Sequence, residues 1–470
     1  MTITSEPDEA IAHKSAPTSL PNRLRGVVAR LRSTDANSRD TAFAALKVLI
    51  IRCLGAAIAY ITQVLLSRAL GQTEYGVFAL VWVWIIVLGH LTPVGIAQAA
   101  LKYIPHYHAL KEPGLTRGYI FYGLALVTLF SCVTALIGGV VLTFGASLFD
   151  NIYALPLLVA LFAVPLFALQ DYVENIARSF NWMILAIAPP FVIRHGLIGL
   201  GVLAAYLTDR EITAATAVAI TVGAVTLSLA LQAGFVFWRI RKIVPAAPHR
   251  AELRVWLKTA LPLIFVDGTL LLFSNADILI LSLFVSPAEI ALYFAASRIL
   301  QLVAFVQYAT TAATTQQFSA LNAMGDHAAL EKLARNTTRL TFMAAVGAAA
   351  IIYLMAPFLL TLFGDGFVGA MPVLGVLMIG LIVQAFSGPA ESVLNMSGHE
   401  RTTALTYSCA LLLNIALNLV LIPIYGAVGA AIATALSLAL ASLALTFALK
   451  KHLGISVFFS FIPDRTPDLS

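Results

Sequence analysis

The sequence predicts an all-α polytopic membrane protein with twelve transmembrane helices in two six-helix bundles. Of its 470 residues, 60% are hydrophobic and 11% are charged, and the mean hydropathy is +0.90. Soluble domains average about 25% charged residues, so a water-soluble globular fold is excluded. The apolar residues form segments of about 20 residues or more, the length that crosses a bilayer. A sequence repeat relates the two halves of the chain.

Twelve apolar segments follow one another along the chain, separated by short polar turns. A well-marked basic break at 239–258, with two prolines, leaves six segments on either side. The predicted spans are 42–68, 76–99, 118–144, 152–170, 182–207, 213–238, 258–284, 288–316, 339–363, 368–390, 402–423 and 425–449.

These segments define the predicted domain organisation. Each half of the chain supplies one bundle, and polar segments precede, join and follow the bundles. The predicted parts are a basic cytoplasmic tail at 1–40, an N-terminal bundle at 41–238, a cytoplasmic linker at 239–257, a C-terminal bundle at 258–450 and a second tail at 451–470.

The lysine and arginine residues predict the orientation in the membrane. If the N-terminus is cytoplasmic, the inner loops and both tails hold nearly all of them, and the outer loops hold only Arg68 and Arg210. Cytoplasmic loops carry this excess, so both termini are predicted to be cytoplasmic. The net charge of +6 then reflects topology, and no nucleic-acid partner is expected. The cysteines lie within apolar segments without metal-type spacing, so no metal site is expected.

An internal repeat links the two halves. Residues 66–78 (LSRALGQTEYGVF) align without gaps on 281–293 (LSLFVSPAEIALY), each at the outer turn after the first span of its half. The pattern Asp-x-Val-x-Asn at 171–175 matches Glu-x-Val-x-Asn at 391–395 at nearly the same offset. Because each half has six spans, a pseudo-twofold axis along the membrane normal is predicted. Transporters with this symmetry carry substrate between the bundles and alternate access by rocking.

Four stretches resemble bacterial polysaccharide-export flippases of the Wzx type, which belong to the MOP (MATE-like) transporter superfamily. They are 66–82, 95–107, 261–299 and 395–437, and the resemblance covers roughly 41–450. It implies translocation of an undecaprenyl-diphosphate-linked oligosaccharide across the bacterial inner membrane, from the cytoplasmic to the periplasmic leaflet. It also implies surface-polysaccharide biosynthesis, membrane-lipid contacts, no enzymatic activity and no cofactor. Coupling to H⁺ or Na⁺ stays open, and a polysaccharide polymerase and chain-length machinery are potential partners.

Three arginines inside the spans are the predicted substrate-binding cations: Arg52, Arg194 and Arg298. A charge within the bilayer is costly and normally faces a protein interior or a wet cavity. The guanidinium stays charged and offers paired donors, which suits a diphosphate. The alternative is that each arginine pairs with an acid or with backbone carbonyls. For Arg194 the Pro189-Pro190 break would free such carbonyls.

Two acids and two amides complete the candidate site. Asp277 and Asp267 are predicted gating or ion-coupling residues that bind a proton or sodium, or that neutralise Arg298 or Arg52. The resembling family has an acid at the Asp277 position. Asn275 and Gln301 are predicted substrate-binding amides, although hydrogen bonding between helices is the alternative role for such residues.

Two other function classes are alternatives to the flippase. A MATE-type exporter of amphipathic cations would share the fold but would favour acidic cavity residues over three arginines. A membrane glycan polymerase or ligase would need a large periplasmic loop, whereas the predicted outer loops are short. The sequence contains no nucleotide-binding loop, paired-carboxylate cluster or His/Cys constellation, so no catalytic residue is expected.

Overall fold

A computed structural model describes residues 36–145, 151–208, 211–455 and 457, with side chains described except at 36–46, 151, 305–313 and 315–316. The chain divides into two units, Met1–Ile50 and Ile51–Ser470. The basic segment predicted for the tail, before residue 36, lies outside the described residues, as does most of the C-terminal tail. Within the described ranges the chain forms helices and turns and no strand.

In the first half, the described residues form seven α-helices and one π-helical turn. The π-helical turn Pro189–Ile193 joins α5 to α6. The helices are α1 (Ala36–Leu91), α2 (Ile96–Ala109), α3 (Pro113–Phe144), α4 (Asn151–Ser179), α5 (Met183–Ala188), α6 (Arg194–Tyr206) and α7 (Ala214–Ile243).

In the second half, the part of the chain that the structure describes also forms seven α-helices. A 3₁₀ turn, Asp365–Ala370, precedes α12. The helices are α8 (Leu253–Phe273), α9 (Ala276–Leu281), α10 (Pro287–Ala323), α11 (His327–Phe363), α12 (Met371–Ser387), α13 (Ala390–Met396) and α14 (Glu400–Leu453).

Glycines interrupt the two longest helices where the sequence predicts boundaries between spans. Gly71 in α1 has φ 70° and ψ 174°, and Gly426 in α14 has φ 57° and ψ −135°. Such positive φ values favour glycine because it lacks a Cβ. The kink in α1 lies between the first and second predicted spans, and the kink in α14 lies at the start of the twelfth.

Nine helical stretches among the described residues are long and apolar enough to cross a membrane. Lys47–Ala109 and Glu400–Leu453 each contain two predicted spans. The eighth predicted span, 288–316, includes residues whose side chains are not described. The all-helical membrane fold is confirmed, and the number twelve stays a prediction.

The structure divides the seventh predicted span, 258–284, between two helices. The chain leaves helical geometry at Asn275, with φ −138° and ψ −9°, and this break separates α8 from α9. The Asn275 side chain donates from Nδ2 to the carbonyl oxygen of Leu271 at 2.8 Å. A side-chain amide thus hydrogen-bonds a carbonyl at the break, as backbone inside a membrane protein requires.

Paired prolines produce the π-helical turn, and α7 satisfies the carbonyls that they leave without a helical donor. Proline has no N–H, so the oxygens of Leu185 and Ala186 lose the donors four residues later. Nε2 of Gln232 donates to both oxygens, at 3.1 and 3.2 Å. The buried Gln232 side chain therefore anchors the broken helix against α7.

Near the Gly71 kink, α1 packs directly against the second half. Arg68 donates to the carbonyls of Leu362 and Thr361 at 2.7 and 2.6 Å, at the C-terminal end of α11. A cation is favourable there because the last carbonyls of a helix carry partial negative charge. Tyr75 is fully buried, and its ring centroid lies 5.8 Å from that of Phe294. These contacts join the two halves at this end of the molecule.

Candidate substrate cavity

A cavity of ≈ 260 Å³ lies between α1, α6 and α10. Two predicted substrate-binding residues, Arg298 and Gln301, line it. None of the lining residues that the structure describes is acidic. The lining consists of Cys53, Ala56, Ala57, Ala59, Tyr60, Gln63, Trp82, His195, Arg298, Gln301 and Leu302.

Arg298 brings a cation to the wall of this cavity. Its Nη1 donates to Oε1 of Gln301 at 3.3 Å, and its Cζ lies 4.3 Å from the centroid of the Phe294 ring. Its Nε is buried without a hydrogen-bond partner among the described residues. Within the same residues no ion pair joins Arg298 to Asp277, so the expected neutralisation of Arg298 by this acid is not found. The guanidinium therefore retains donor capacity for an anion.

Arg194 lies behind the cavity lining. Its Nη1 donates to Oε1 of Gln170 at 3.1 Å, and its Cζ lies 4.6 Å from the centroid of the Phe167 ring. The proline break was expected to open carbonyls to this guanidinium, but among the described residues Gln232 donates to both oxygens that the break frees.

Arg52 lies on α1 immediately before the lining residue Cys53. Its Cζ is 5.4 Å from the centroid of the Phe191 ring, which belongs to the π-helical turn. An arginine over an aromatic face gains cation–π attraction. Arg52 thus lies at the contact between α1 and the proline break, next to the residues that line the cavity.

Two predicted site residues lie outside the cavity lining. Asn275 uses its amide at the break between α8 and α9, as described above. Asp267 is exposed on α8. The structure does not bring either side chain to Arg298.

Asp277 belongs to a separate buried polar cluster in the second half. Its Oδ2 accepts a hydrogen bond from the Tyr293 hydroxyl, and its Oδ1 accepts one from the Ile278 N–H at 2.9 Å. Tyr293 Oη lies 3.5 Å from Oγ1 of Thr434, to which Asn414 donates at 3.3 Å. The cluster joins α9, α10 and both parts of α14 through side chains that can bind a cation or a proton.

Sequence reasoning missed two polar lining residues, Gln63 and His195. Tyr75 donates to Oε1 of Gln63 at 3.0 Å, which leaves the amide NH₂ as a donor at the cavity wall. Thr62 donates to the His195 carbonyl at 3.0 Å and so ties α6 to α1. Both residues interrupt apolar segments, which was the signal available in the sequence.

Comparison with known proteins identifies the family. Residues 45–315, more than half of the chain, match the family described as polysaccharide biosynthesis protein. The chain belongs to this family. Residues 262–420 also match the MatE family. No curated protein matches the chain.

Solved structures show that this member of the polysaccharide biosynthesis protein family has the MOP transporter fold. An inward-facing MATE-family multidrug resistance transporter is 15% identical, with a TM-score of 0.71 and coverage of 86% of this chain and 98% of the other. Lipid II flippase MurJ in an inward closed conformation is 15% identical, with a TM-score of 0.69 and coverage of 86% and 87%. A Pyrococcus furiosus MOP transporter, described as having reversed binding-pocket polarity, is 15% identical, with a TM-score of 0.60 and coverage of 87% and 95%.

Proposed function

We propose that the protein flips a polyprenyl-diphosphate-linked oligosaccharide from the cytoplasmic to the periplasmic leaflet of the bacterial inner membrane, by alternating access through the central cavity. The supporting observation is the Arg298 guanidinium, which lies in a cavity wall whose described lining contains no acid. The family match to polysaccharide biosynthesis proteins agrees with this substrate class.

The chemistry of the substrate fits this cavity. A diphosphate offers anionic oxygens, and an arginine can donate two parallel hydrogen bonds to such a group. Gln63, His195 and Gln301 add polar groups that can hydrogen-bond sugar hydroxyls. Arg52 and Arg194 would extend the positive potential around the path of the diphosphate. No covalent step is needed, so the role is transport.

Contacts near Gly71 would close the cavity on the periplasmic side under the predicted orientation. Arg68 bonds the end of α11, and Nε2 of Gln72 donates to the Ala288 carbonyl at 3.3 Å. Release to the periplasm would require these bonds between the halves to break. Rocking of two bundles provides such a motion.

The Asp277 cluster is the proposed ion-coupling site. A carboxylate, a phenol, a threonine hydroxyl and an amide supply oxygen ligands of the kind that hard cations prefer, and the carboxylate can also bind a proton. Because the cluster joins α10 to α14, ion binding there would alter the packing of a helix that carries Arg298. Asp267 is retained as a second candidate.

Flipping in proteoliposomes tests the proposal. A fluorescent undecaprenyl-diphosphate oligosaccharide would be used with wild type, Arg298→Gln, Arg52→Gln and the exposed control Arg401→Gln. Loss of one charge-assisted hydrogen bond lowers the affinity for the substrate about tenfold. Arg298→Gln should therefore lower the flipping rate about tenfold when the substrate concentration is below saturation. Arg401→Gln should match wild type.

The MATE-type alternative is tested with the same vesicles. The match of residues 262–420 to MatE makes export of an amphipathic cation the second candidate. A fluorescent cationic dye would be assayed beside the lipid-linked saccharide. Dye export without saccharide flipping, by correctly folded wild type, would replace the flippase proposal with the exporter.

A further inference from the structure

A second polar pocket, of ≈ 240 Å³, lies between α3, α7 and the linker. Arg117, Arg241 and His249 line it together with apolar side chains that include Phe121, Leu124 and Phe237. None of the described lining residues is acidic. The pocket is distinct from the central cavity and shares no lining residue with it.

The linker forms one wall of this pocket because it binds closely to α3. The N–H of Arg250 donates to the Gly114 carbonyl at 3.1 Å. A Cβ at Gly118 would lie 1.7 Å from the Arg250 carbonyl oxygen, so only glycine allows this approach. The arrangement stacks His249 on Phe121, with ring centroids 4.9 Å apart. The linker is therefore bound to the first half rather than merely connecting the two bundles.

Arg117 provides an unsatisfied donor in the pocket. Its Nη2 donates to the Val244 carbonyl at 3.0 Å, while its Nε is buried without a partner in the described part of the chain. Arg241 is exposed and has no hydrogen bond or ion pair with described residues. Two acids lie close to this wall in the sequence: Glu112 pairs with Arg250 at 3.1 Å, and Glu252 accepts a hydrogen bond from Tyr107 at 2.8 Å. Two guanidinium groups thus remain for an external anion.

The arginines lie at one end of the pocket and apolar side chains follow further along α3, an order that matches the head group and acyl chain of a phospholipid. Arg117 lies one turn inside α3, and Arg241 lies in the last turn of α7. Leu124 is about 10 Å further along α3 than Arg117, from the rise of about 1.5 Å per residue. Trp238 on α7 is 57% exposed, with the Lys242 Nζ 3.6 Å from its ring centroid, a pair typical of a membrane–water interface.

We propose that this pocket binds the phosphate head group of an anionic membrane phospholipid, with Arg117 and Arg241 on the phosphate and an acyl chain along Phe121 and Leu124. Basic pockets between transmembrane helices on the cytoplasmic side bind anionic head groups. Arginine favours phosphate through its planar, paired donors. The bound lipid would bridge α3 and α7 beside the docked linker. The site is independent of what the central cavity transports.

Native mass spectrometry of the full-length, delipidated protein in detergent tests this site. The probes are phosphatidylglycerol, phosphatidylcholine and soluble glycerol phosphate. Each interfacial arginine contributes about fivefold to the affinity for an anionic lipid. Arg241→Gln should therefore lower the affinity for the first bound phosphatidylglycerol molecule by that factor. The double variant Arg117→Gln/Arg241→Gln should lower it further. Lys450→Gln/Lys451→Gln removes two exposed charges elsewhere and should bind like wild type.

Three results would overturn the proposal. The first is equal affinity of wild type for phosphatidylglycerol and phosphatidylcholine. The second is equal loss of binding in the control and in the double arginine variant. The third is displacement of the lipid by equimolar glycerol phosphate, which would assign the pocket to a free phosphate ester. Arg241→Gln keeps the test decisive if the double variant misfolds, since Arg241 is exposed and without intramolecular bonds to described residues.

Discussion

Glu74 accepts a hydrogen bond from the backbone N–H of Ala214, with 2.6 Å between Oε2 and N. In the second half, Oε1 of Glu289 accepts one from the Ala427 N–H at 2.7 Å. Each glutamate lies near the start of the second predicted span of its half. Each N–H lies at the start of the sixth predicted span of that half. The paired residues are separated by 140 and 138 positions. The two glutamates are equivalent in the predicted sequence repeat, so the repeat extends to these hydrogen bonds.

Replacing either glutamate should destabilise the protein. Glu74→Ala or Glu289→Ala removes the acceptor of a helix N-terminal N–H, an interaction whose loss costs about 1 kcal/mol. Thermal unfolding in detergent should show a lower midpoint for each variant and a further decrease for the double variant. Glu211→Ala is the control, because this exposed carboxylate lies close to α7 in the sequence. An unchanged midpoint in the double variant would contradict a stabilising role for these bonds.

Gln232→Leu tests how α7 holds the proline break. The substitution leaves the carbonyls of Leu185 and Ala186 without their donor, at about 1–3 kcal/mol for each buried group. The unfolding midpoint should fall. In a background of Pro189→Ala and Pro190→Ala the helix regains both N–H donors, so Gln232→Leu should cost less there. An equal cost in both backgrounds would show that Gln232 acts through packing alone.

Part of the site was predictable from the sequence because charged and polar residues are conspicuous within an apolar predicted span. Arg298 and Gln301 stand out in a predicted span, and both line the cavity. Gln63 and His195 line it as well, but a single polar residue in a span is most simply explained by contacts between helices. Only the three-dimensional packing of α1, α6 and α10 brings these polar groups together.

The helices were predictable where hydrophobicity alone determines them. The kinks at Gly71 and Gly426 fall close to predicted span boundaries. The break at Asn275 was missed, because hydropathy over a long window averages across one polar residue. The partner of Asp277 was also missed. A neutral phenol, that of Tyr293, is bound to this carboxylate where a charged arginine was expected.

Tyr293→Phe should separate the hydrogen bond of Asp277 from its charge. The variant keeps the buried ring but removes the donor to Oδ2, which should cost about 1–3 kcal/mol of stability. The unfolding midpoint is again the measurement, and Tyr206→Phe is the control because that hydroxyl lies on an exposed side chain. If the Asp277 cluster binds the coupling ion, Tyr293→Phe should also alter the dependence of flipping on Na⁺ or on a proton gradient. An unfolding midpoint equal to that of wild type would contradict a stabilising role for the hydrogen bond between Tyr293 and Asp277.

Gly76→Ala should disturb closure between the two halves. A Cβ at Gly76 would lie 1.7 Å from the Pro287 carbonyl oxygen, a backbone atom of α10. The helices near the Gly71 kink must therefore separate in this variant. Cys53 lines the cavity and reports its accessibility to an impermeant thiol reagent, once Cys132 and Cys409 are replaced by serine.

Labelling from each side of the membrane then measures the direction of opening. In the protein that keeps Gly76, Cys53 should react with the thiol reagent mainly from the side that carries the linker. The contacts of Arg68 and Tyr75 close the opposite end. Gly76→Ala should raise labelling from that opposite side. Gly223→Ala is the matched control, since a Cβ there meets no atom within 4 Å. Equal labelling from the opposite side in Gly76→Ala and Gly223→Ala would mean that α1 and α10 do not form the closing contact, because a forced separation of these helices must open the cavity toward the Gly71 end.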